Sequence, residues 1–403
     1  MMASCKRSSA CVALGLALLF APRTGSGQNA SDLQGQRGLY VWESADSVHV
    51  HWITPQARPG VLRVTARGEA QDFTSSAGAA HHVALRKPRG DSYVLAVGDT
   101  APGDQLTIFS RLLPASVNRA APDSLYIFGD THGEYESVRA VLRNAGLIDD
   151  QARWSGGRKQ LVFLGDITDR GAEVTRLLWL IYRLEREAKA AGGAVDVLLG
   201  NHELMVMLGD LRYVHANEQK LAELHGISYQ QILNPQRAVL GRWLVSKPPV
   251  MKVGDLLLVH GGVSSDYAGE TVQTLARKMT GHFEHELFIA HVDTTKKVRV
   301  DSAYYAEWND FIWGPRSVFW YRGYMESDTL AAELNGVLAS FGADAMVVGH
   351  TPAPTIHVRY GGKLIAAHPR RPGTELLLVT GQGERRRLHR IVANGPPQSI
   401  APK

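Results

Sequence analysis

Apolar and polar residues alternate with a period of two along the first quarter of the chain, which is typical of strands that bury one face. Glycine and proline separate the alternating runs, and no helical period is present among them. The runs lie at residues 48–53, 61–65, 83–85, 93–97 and 105–110. We therefore predict a small, antiparallel, β-sandwich-like domain over residues 28–115.

The pattern changes after a linker at residues 114–123. Short apolar runs there alternate with stretches of helical period, which include amphipathic segments at residues 134–144 and 172–190. Five runs end in polar residues flanked by glycine, at 125–128, 161–164, 194–199, 256–259 and 345–348, and further strand-like runs lie at 365–367, 376–379 and 388–392. This alternation predicts an α/β catalytic domain over residues 120–393.

Two stretches of the chain depart from this pattern. Residues 264–342 contain helical pieces and an aromatic cluster, and we expect them to fold over the strand ends and shape the substrate cleft. Three histidines in this stretch, His282, His285 and His291, lie among acidic residues and predict a solvated helix face. Residues 394–403 predict a disordered tail.

The first 27 residues resemble a secretory signal. Lys6 and Arg7 precede an apolar run at residues 10–21, and small residues follow at 24–27. This run is shorter than the roughly 20 residues that a membrane-spanning helix needs, although a short membrane anchor is an alternative. We predict a signal peptide at residues 1–27, cleaved after Gly27 or Ala21, and an exported, periplasmic or secreted protein without a membrane span in its mature form.

Charge and cysteine content limit the partners and the metal chemistry. Removing residues 1–27 takes away three basic residues and lowers the net charge from +5 to +2, which gives no electrostatic case for a nucleic-acid partner. Both cysteines, Cys5 and Cys11, lie in the predicted signal peptide. The mature chain would therefore have neither a disulfide nor a thiolate ligand.

The polar residues that follow the five strands can bind metals. They are Gly-Asp-Thr-His-Gly at 129–133, Gly-Asp-Ile-Thr-Asp-Arg-Gly at 165–171, Gly-Asn-His-Glu at 200–203, His-Gly-Gly at 260–262 and Gly-His-Thr at 349–351. Open α/β sheets bind ligands beyond the carboxyl ends of their strands, so we expect these segments to converge. Carboxylates, imidazoles and an amide oxygen without sulfur suit Mn, Fe or Zn. The segments predict a site for two divalent metal ions, held about 3.5–4 Å apart by a shared carboxylate.

Each segment alone has a simpler interpretation. A single Gly-Asp or Gly-His is usually a turn at the end of a strand, and Asp169 with Arg170 alone would be read as a surface ion pair. The order of all five segments, each directly after an apolar strand, favours a shared chemical role.

The series of segments resembles that of the PPP family of metallophosphatases, within the calcineurin-like phosphoesterase fold. Residues 200–213 and 319–324 are similar to the bacterial Shewanella-like branch of protein phosphatases. The resemblance covers about residues 125–350 and implies a two-sheet αββα sandwich, preceded here by the small all-β domain.

The resemblance also implies roles for single residues. Asp130 and His132 would hold the first metal, and Asp166 would bridge to the second. Asn201, His260 and His350 would complete the second metal site. A metal-bridged hydroxide would then attack the phosphorus atom.

Three further residues would act on the substrate according to the same resemblance. His202 would protonate the leaving oxygen as a general acid, Asp169 would orient its ring, and Arg170 would bind phosphate oxygens. A second phosphate-binding arginine is expected before the last histidine. Arg322 is the first choice, and Arg316 is the alternative.

One segment departs from the family. Eukaryotic members carry a substrate-proximal tyrosine in a Ser-Ala-Pro-Asn-Tyr segment, and Ala-Ala-His-Pro-Arg-Arg stands at residues 366–371 instead. An aromatic side chain near the cleft would then come from Tyr321 or Tyr324. Glu203 is expected to support the start of its helix, and His368 is assigned no role.

These observations predict a dinuclear-metal phosphomonoesterase that acts on phosphoproteins at Ser/Thr or Tyr. One alternative is a hydrolase of small phosphates or nucleotides, such as a dinucleoside polyphosphatase. Another is a non-catalytic metal- or partner-binding protein, which the complete set of ligand positions disfavours.

Overall fold

The structure is a computed structural model that describes residues 38–98, 105–113, 115–293, 295–299 and 301–401. The predicted signal peptide, with Cys5 and Cys11, lies outside the described residues.

Seventeen strands are present among these residues. They are β1 (Tyr40–Glu43), β2 (Ser47–Ala66), β3 (Glu69–Arg86), β4 (Ser92–Val97), β5 (Leu106–Phe109), β6 (Asn118–Arg119), β7 (Leu125–Phe128), β8 (Gln160–Phe163), β9 (Ala194–Val197), β10 (Val250–Val253), β11 (Leu256–Val259), β12 (Ala345–Val348), β13 (His357–Arg359), β14 (Leu364–Ala366), β15 (Glu375–Thr380), β16 (Arg387–Val392) and β17 (Gln398–Ser399).

The described part of the chain also contains eleven α-helices. They are α1 (Tyr135–Asn144), α2 (Val174–Ala190), α3 (Asn201–Met207), α4 (Ala216–Leu224), α5 (Tyr229–Ile232), α6 (Val239–Val245), α7 (Val272–Glu284), α8 (Glu286–Val292), α9 (Ser302–Trp313), α10 (Gly323–Glu326) and α11 (Ala331–Phe341).

The first five strands form a single antiparallel sheet, which differs from the predicted sandwich of two facing sheets. The runs predicted at 48–53 and 61–65 belong to one 20-residue strand, β2, because irregular pairing near Pro59 lets the strand continue through the proline. Strand β3 pairs along most of β2, whereas β1 and β4 pair with its first and last parts.

Two six-stranded sheets form the centre of the catalytic domain, with the orders β13-β14-β12-β11-β10-β6 and β17-β16-β15-β7-β8-β9. Alternation along each strand sends Leu125 and Ile127 toward Leu258 and Val347 of the facing sheet, in one apolar layer. The alternate residues of β7, Tyr126 and Phe128, pack in a second apolar cluster with the helices. This arrangement confirms the predicted αββα sandwich.

The carboxyl ends of the strands lie where the sequence predicted them. Strands β7, β8 and β9 run parallel in one sheet, and β11, β12 and β14 run parallel in the other. The region at 264–342 reaches these ends, since the ring of Trp320 meets the ring of His350 edge-on with centroids 5.7 Å apart.

The chain end differs from the predicted disordered tail at residues 394–403. Gln398–Ser399 forms β17, which pairs with β16 at the edge of the second sheet. Ile400 packs against the apolar layer between the sheets. Edge pairing and burial of this side chain order the segment, and neither is visible in its local composition.

The predicted solvated face in the 264–342 region is also wrong. His282 is buried and hydrogen-bonds the hydroxyl of Tyr304, and the ring of His285 stacks on the same tyrosine. His291 stacks on Trp308. These histidines therefore join the aromatic side chains of α9.

The N-terminal sheet packs against the catalytic domain. The amide of Glu43 donates to the carbonyl of Arg237 at 2.8 Å, and the indole of Trp179 donates to the carbonyl of Leu39 at 2.8 Å. Tyr40 meets the ring of His225 edge-on. One apolar cluster is continuous across the two parts.

Within the described residues, no helix combines the length and the apolar character that crossing a membrane requires.

Candidate active site

The six predicted metal ligands are buried and converge at the carboxyl ends of the strands. The Oδ2 atom of Asp166 lies at their centre, 3.8 Å from Nε2 of His132 and 3.2 Å from Nε2 of His260. On the first side, Asp130 Oδ2 lies 3.7 Å from the Nε2 atom of His132. Asp166 therefore faces two groups of donors, as a bridging carboxylate must.

The second group consists of Asn201, His260 and His350. Nε2 of His260 lies 2.9 Å from Oδ1 of Asn201 and 3.2 Å from Nδ1 of His350. Lone pairs from an amide oxygen and two imidazoles thus meet beside the same Asp166 oxygen, a donor set suited to a borderline divalent ion.

Backbone carbonyls fix the orientation of the two innermost imidazoles. Nδ1 of His132 donates to the carbonyl of Thr168 at 2.8 Å, and Nδ1 of His260 donates to the carbonyl of Leu164 at 3.1 Å. In the neutral form of each ring, Nε2 is therefore the nitrogen without a proton and is directed at the carboxylates, which is the tautomer that metal ligation requires.

Asp166 and His260 stabilise each other's charged forms. Burial disfavours ionisation of Asp166, but His260 and His202 outweigh it and hold the pKa of Asp166 well below its usual range. Burial lowers the pKa of His260, yet Asp166 and Asp130 raise it to about 9. A cation in this pocket would relieve the same negative potential.

The donor atoms also fit resident metal ions. Oδ2 of Asp130 and Nε2 of His132 are buried and have no hydrogen-bond partner of acceptable geometry among the described residues. Two groups have donor atoms close enough together to hold one ion each. Asp166, His260 and His350 are all predicted ligands, whereas the group of His132, Asp166 and His202 includes the predicted general acid in place of Asp130. Buried orphaned donors are costly unless a ligand satisfies them. The site therefore suits divalent metal ions.

The backbone of the site is strained. Eight non-glycine residues of the described chain have a positive φ, and five of them belong to this site: His132 (42°), Asp166 (51°), Asp169 (67°), Arg170 (63°) and His350 (60°). Left-handed backbone costs about 1–2 kcal/mol per non-glycine residue. Strain of this kind concentrates where side chains must be aimed at a ligand.

Gly200 allows two of the loops to approach each other. A Cβ atom at this position would lie 2.2 Å from Oδ1 of Asp166, which is far closer than real contacts allow. The glycine therefore lets the loop after β9 close onto the loop after β8. Oδ1 of Asp166 in turn accepts a hydrogen bond of 2.9 Å from the amide of His202.

Glu203 braces both loops, as its predicted supporting role implies. Its buried carboxylate accepts hydrogen bonds from the amides of Gly200, Asp166, Ile167 and Thr168. Four backbone donors thus have a partner in a place where water is excluded.

The ring of His202 lies between the carboxylate of Asp169 and the guanidinium of Arg170. Its Nδ1 is 2.6 Å from Oδ2 of Asp169, and its Nε2 is 3.1 Å from Nη2 of Arg170. Burial lowers the pKa of His202, but Asp166 and Asp169 together raise it above the usual value. A protonated imidazole beside the metal pocket can donate a proton through Nε2.

Tyr213 forms the rim beside this histidine, and the sequence did not single out its side chain. It is 46% exposed, and its ring meets that of His202 edge-on with centroids 5.3 Å apart. The guanidinium groups of Arg170 and Arg212 lie 5.9 and 5.6 Å from the ring centroid. The carbonyl of Tyr213 also accepts a hydrogen bond from the amide of Arg170.

The tyrosines expected at the cleft occupy other positions. Tyr321 and Tyr324 are buried, and both hydroxyls point toward Glu333. Both rings are held in the packing of the 264–342 region, so Tyr213 and Trp320 are the aromatic side chains that flank the site instead.

The two candidate phosphate-binding arginines differ in their surroundings. Arg316 forms ion pairs with Asp266 and Glu333 at 2.8 and 3.3 Å. Arg322 acts electrostatically on His350 and forms no side-chain hydrogen bond or ion pair with the described residues. The geometry favours Arg322.

His368 also lies in the site, although the sequence assigned it no role. It is buried, and its Nδ1 is 2.7 Å from Oδ2 of Asp130. It follows β14 directly, at the same edge of the sheet as His260 and His350. The position of His368 at the end of the predicted strand at 365–367 was therefore the sequence signal that could have identified it as a site residue.

Residues 124–354, more than half of the chain, match the calcineurin-like phosphoesterase family. The chain belongs to this family. Membership confirms the predicted fold and the predicted enzyme class, a phosphoester hydrolase.

Similar proteins include named phosphatases of the Shewanella-like branch. The chain is 28% identical over 275 residues to Shewanella-like protein phosphatase 2 of Arabidopsis thaliana, covering 57% of this chain and 66% of that protein. It is 27% identical over 233 residues to Shewanella-like protein phosphatase 1 of Plasmodium berghei, covering 56% and 60%. The chain thus spans less than two thirds of the length of both relatives.

A solved structure extends the similarity of fold beyond residues 124–354. The cold-active protein-tyrosine phosphatase of a psychrophilic Shewanella species superposes with a TM-score of 0.69 at 24% identity, covering 91% of this chain and 98% of that one. A second structure of a cold-active protein tyrosine phosphatase gives a TM-score of 0.68 at 26% identity, covering 90% and 96%.

A shorter similarity links the chain to a nucleotide hydrolase. It is 31% identical over 157 residues to a symmetrical bis(5'-nucleosyl)-tetraphosphatase of an Acidovorax species, covering 38% of this chain and 48% of that protein.

Proposed function

We propose that this protein is a dinuclear-metal phosphomonoesterase that dephosphorylates phosphoproteins. The observation that carries the proposal is the position of His202, whose Nε2 lies 3.8 Å from Oδ2 of Asp166 and 3.1 Å from Arg170. A proton donor, a phosphate-binding cation and a candidate bridging carboxylate thus meet at one point.

Six residues would hold the two metals, Asp130 and His132 at the first, Asp166 between both, and Asn201, His260 and His350 at the second. Their oxygen and nitrogen donors suit Mn, Fe or Zn. When bound, such metals acidify water and withdraw charge from a phosphate group.

Side chains of the protein would protonate the leaving group. His202 donates a proton from Nε2 to the leaving oxygen, while the Asp169 carboxylate accepts a hydrogen bond from Nδ1 and stabilises the imidazolium. This division of tasks follows the carboxylate–histidine logic of general acid catalysis.

Two arginines would hold the phosphate. Arg170 is fixed by its own amide, which donates to the carbonyl of Tyr213 at 2.7 Å, and its guanidinium points toward His202. Arg322 acts electrostatically on His350 at the proposed second metal site. Paired arginines bind phosphate oxygens in a fixed orientation and leave the ester oxygen directed at His202.

The substrate proposal draws on the relatives and on the rim of the site. Relatives that align along most of the catalytic domain are named protein phosphatases, and a structure at 26% identity is a protein tyrosine phosphatase. The exposed ring of Tyr213 beside His202 offers an aryl leaving group a surface to stack on. We therefore favour phosphotyrosine and other aryl phosphates over phosphoserine.

The second candidate function is hydrolysis of nucleotides, which the similarity to a symmetrical bis(5'-nucleosyl)-tetraphosphatase supports. That similarity covers 38% of the chain. The similarity therefore supports the assignment of the metal-binding segments more than it supports an assignment of the residues at the rim of the site, which would select the substrate.

Export is also part of the proposal, because residues 1–27 have the basic start, apolar run and small residues of a signal peptide. Cell fractionation with amino-terminal sequencing of the purified protein tests it. A cytoplasmic protein that retains residues 1–27 contradicts it.

The test of the proposed activity is hydrolysis of p-nitrophenyl phosphate by chelator-stripped protein resupplied with Mn²⁺, Fe²⁺ or Zn²⁺. We expect recovery with metal in the wild type and none in Asp166→Asn, which loses the bridging charge. Absence of activity with every metal, despite metal binding, would point to the non-catalytic alternative.

A panel of phosphotyrosine, phosphoserine and phosphothreonine peptides against dinucleoside polyphosphates and mononucleotides tests the substrate class. A higher kcat/KM for the phosphopeptides supports the proposal, and a higher kcat/KM for dinucleoside polyphosphates replaces it with the second candidate.

A further inference from the structure

We propose that Arg370 and Arg371 form a docking site for acidic side chains of the substrate, an inference that rests on the phosphoprotein phosphatase activity proposed above. Both arginines belong to residues 369–373, a segment between β14 and β15 that we call the arginine loop. The substrate class is thereby narrowed to phosphopeptides that carry Asp or Glu close to the phosphorylated residue.

The arginine loop is built onto segments that carry predicted metal ligands. The amide of Arg370 donates to the carbonyl of Ala353 at 2.6 Å, and Ala353 lies three residues after His350. At the other end of the loop, the amide of Gly373 donates to the carbonyl of Asp130 at 3.1 Å. The two arginines are therefore held between the segment that follows β12 and the segment that follows β7.

Further contacts connect the loop to the segment of Arg170. The ring centroids of His132 and His368 lie 6.3 Å apart, directly before the arginine loop. A Cβ atom at Gly171 would lie 2.0 Å from the carbonyl oxygen of His132. The arginine loop, the segment after β7 and the segment of Arg170 are thus neighbours in this order beside the metal pocket.

The two guanidinium groups are available for an anion. Arg370 and Arg371 are exposed, and neither forms a side-chain hydrogen bond or an ion pair with the described residues. Arg212, by contrast, is paired with Asp210 at 2.7 Å. An arginine without an acidic partner can bind a carboxylate of the substrate through two parallel hydrogen bonds.

Two acids lie beside the arginine loop and interact with other groups. The carboxylate of Glu375 lies 3.4 Å from the guanidinium of Arg390. Burial raises the pKa of Glu134, and the charge of this residue interacts with Glu173 and His215. Neither acid neutralises the two arginines of the loop.

The positions of the two arginines match the spacing of an extended peptide. Arg370 and Arg371 lie two and three residues after His368, whose Nδ1 is 2.7 Å from Oδ2 of Asp130. Their Cα atoms are therefore at most about 7 and 11 Å from that of His368. In an extended peptide, residues two and three positions from the phosphorylated residue lie at the same distances from it. Acidic side chains at these positions can reach the arginines while the phosphate lies in the metal pocket.

Contacts between exposed ions are weak and depend on salt. One such pair changes an equilibrium by about fivefold or less, so the two arginines should favour acidic peptides by about three- to tenfold at low salt. This preference should decrease at high salt, because the Debye length falls from about 10 Å at 0.1 M to about 3 Å at 1 M. Arginines that contacted the phosphate itself would affect all phosphopeptides equally.

The experiment measures kcat/KM of the full-length, metal-loaded protein on three phosphotyrosine peptides of equal length. They carry Glu, Ser or Lys at the second and third positions on both sides of the phosphotyrosine. We expect the wild type to prefer the Glu peptide and the double variant Arg370→Glu with Arg371→Glu to prefer the Lys peptide. An unchanged order, or an equal loss on all three peptides, overturns the proposal.

The matched control is the double variant Arg385→Glu with Arg387→Glu, which changes the net charge by the same amount. Both arginines are exposed, and they lie near the amino end of β11, where the amide of Gly383 donates to the carboxylate of Asp255 at 2.7 Å. This variant should keep the wild-type order of the three peptides. A reversal here as well would mean that net charge determines the preference, which overturns the docking site.

If thermal unfolding shows that the variant with two glutamates does not fold, Arg370→Gln with Arg371→Gln takes its place. This variant removes both charges without reversing them, so the preference for the Glu peptide should disappear and the order should not invert. A preference equal to that of the wild type overturns the proposal.

Parallel assays with p-nitrophenyl phosphate and dinucleoside polyphosphates separate this proposal from the proposed function. A wild type that hydrolyses these compounds but no phosphopeptide overturns both. A wild type that hydrolyses the three phosphopeptides with equal kcat/KM overturns only the docking site.

Discussion

The Nδ1 atom of His202 lies 2.6 Å from Oδ2 of Asp169, with both side chains buried beside the metal pocket. A carboxylate at this distance stabilises the protonated ring, and Asp166 adds to the effect, so the pKa of His202 is raised despite burial. The pair thus favours the protonated ring. In the structure Nε2 accepts a hydrogen bond from the guanidinium of Arg170, so Nε2 can carry and donate a proton only when that guanidinium binds the phosphate instead.

Replacing the general acid should reduce the rate most for substrates with poor leaving groups. For His202→Asn we expect about a 10²–10⁴-fold loss of kcat on alkyl phosphates and a much smaller loss on p-nitrophenyl phosphate, whose leaving group needs little protonation. The measurement is kcat across a series of phosphate esters of increasing leaving-group pKa. Asp169→Asn should show the same trend with a smaller slope. A loss that is independent of the leaving group would falsify the assignment.

Tyr213 should select aryl phosphates through its ring. Removing the ring in Tyr213→Ala is expected to lower kcat/KM for phosphotyrosine peptides by about fivefold, which corresponds to about 1 kcal/mol of aromatic contact. Phosphoserine peptides should change little. Tyr213→Phe is the matched control, because it keeps the ring and should retain nearly all activity. An equal loss on both peptide classes would show that Tyr213 acts only through the position of Arg170.

The two arginines near the cleft should respond differently to substitution. Arg322→Ala is expected to raise KM for p-nitrophenyl phosphate and to weaken inhibition by free phosphate by about tenfold or more, because a charge-assisted contact contributes about 1.5–3 kcal/mol. Arg316→Ala should leave both constants nearly unchanged, since its guanidinium is held by Asp266 and Glu333. If Arg316→Ala raised KM and weakened phosphate inhibition while Arg322→Ala left both unchanged, Arg316 would be the phosphate-binding residue.

Most of the candidate site follows from the sequence for a physical reason. Apolar strands of four residues end at fixed points, and parallel strands in one sheet bring those ends together. The residues after β7, β8, β9, β11 and β12 therefore converge whatever the loops do. Local pattern and sheet geometry together determine this part of the site.

The features that the sequence did not predict have a different cause. His368 follows a predicted strand, but its contact with Asp130 is visible only in the structure, where the end of β14 meets the end of β7 in the facing sheet. Tyr213 lies in the loop after α3, and its carbonyl accepts a hydrogen bond from the amide of Arg170 in the loop after β8. The tail strand β17 forms because the edge of β16 is free to pair. The contacts of His368 and Tyr213 join distant parts of the chain, which no local pattern encodes, whereas β16 and β17 are neighbours in sequence and their pairing depends on the position of the sheet edge.

The N-terminal sheet carries a cluster of histidines that should make stability depend on pH. The ring of His51 is 6% exposed, stacks on His82 at 4.3 Å and meets His225 edge-on at 5.3 Å. Neither ring nitrogen of His51 has a hydrogen-bond partner among the described residues. His49 completes the cluster through its contact with His82 at 3.1 Å.

Burial is the main reason that the cluster resists protonation. It lowers the pKa of His51 to about 3, with His82, His225 and His49 adding to the effect, and it lowers the pKa of His225 to about 4. In the unfolded chain both groups titrate near about 6.5. Between these values the unfolded chain binds more protons than the folded protein. The stabilisation is therefore complete above about pH 6.5 and is lost as the pH falls toward 4 and then 3.

We expect the free energy of unfolding of the metal-free protein to fall by about 1–3 kcal/mol per pH unit below pH 6, with these two histidines supplying a large part of the slope. Urea unfolding at several pH values between 7.5 and 4.5 measures it. The double variant His51→Phe with His225→Phe keeps aromatic rings in the interface and removes both titrating groups, so its slope should be clearly shallower. Other buried histidines, including His132 and His350, have lowered pKa values in both proteins and contribute equally to each slope. Identical slopes would therefore mean that protonation of this cluster does not control the stability of the interface.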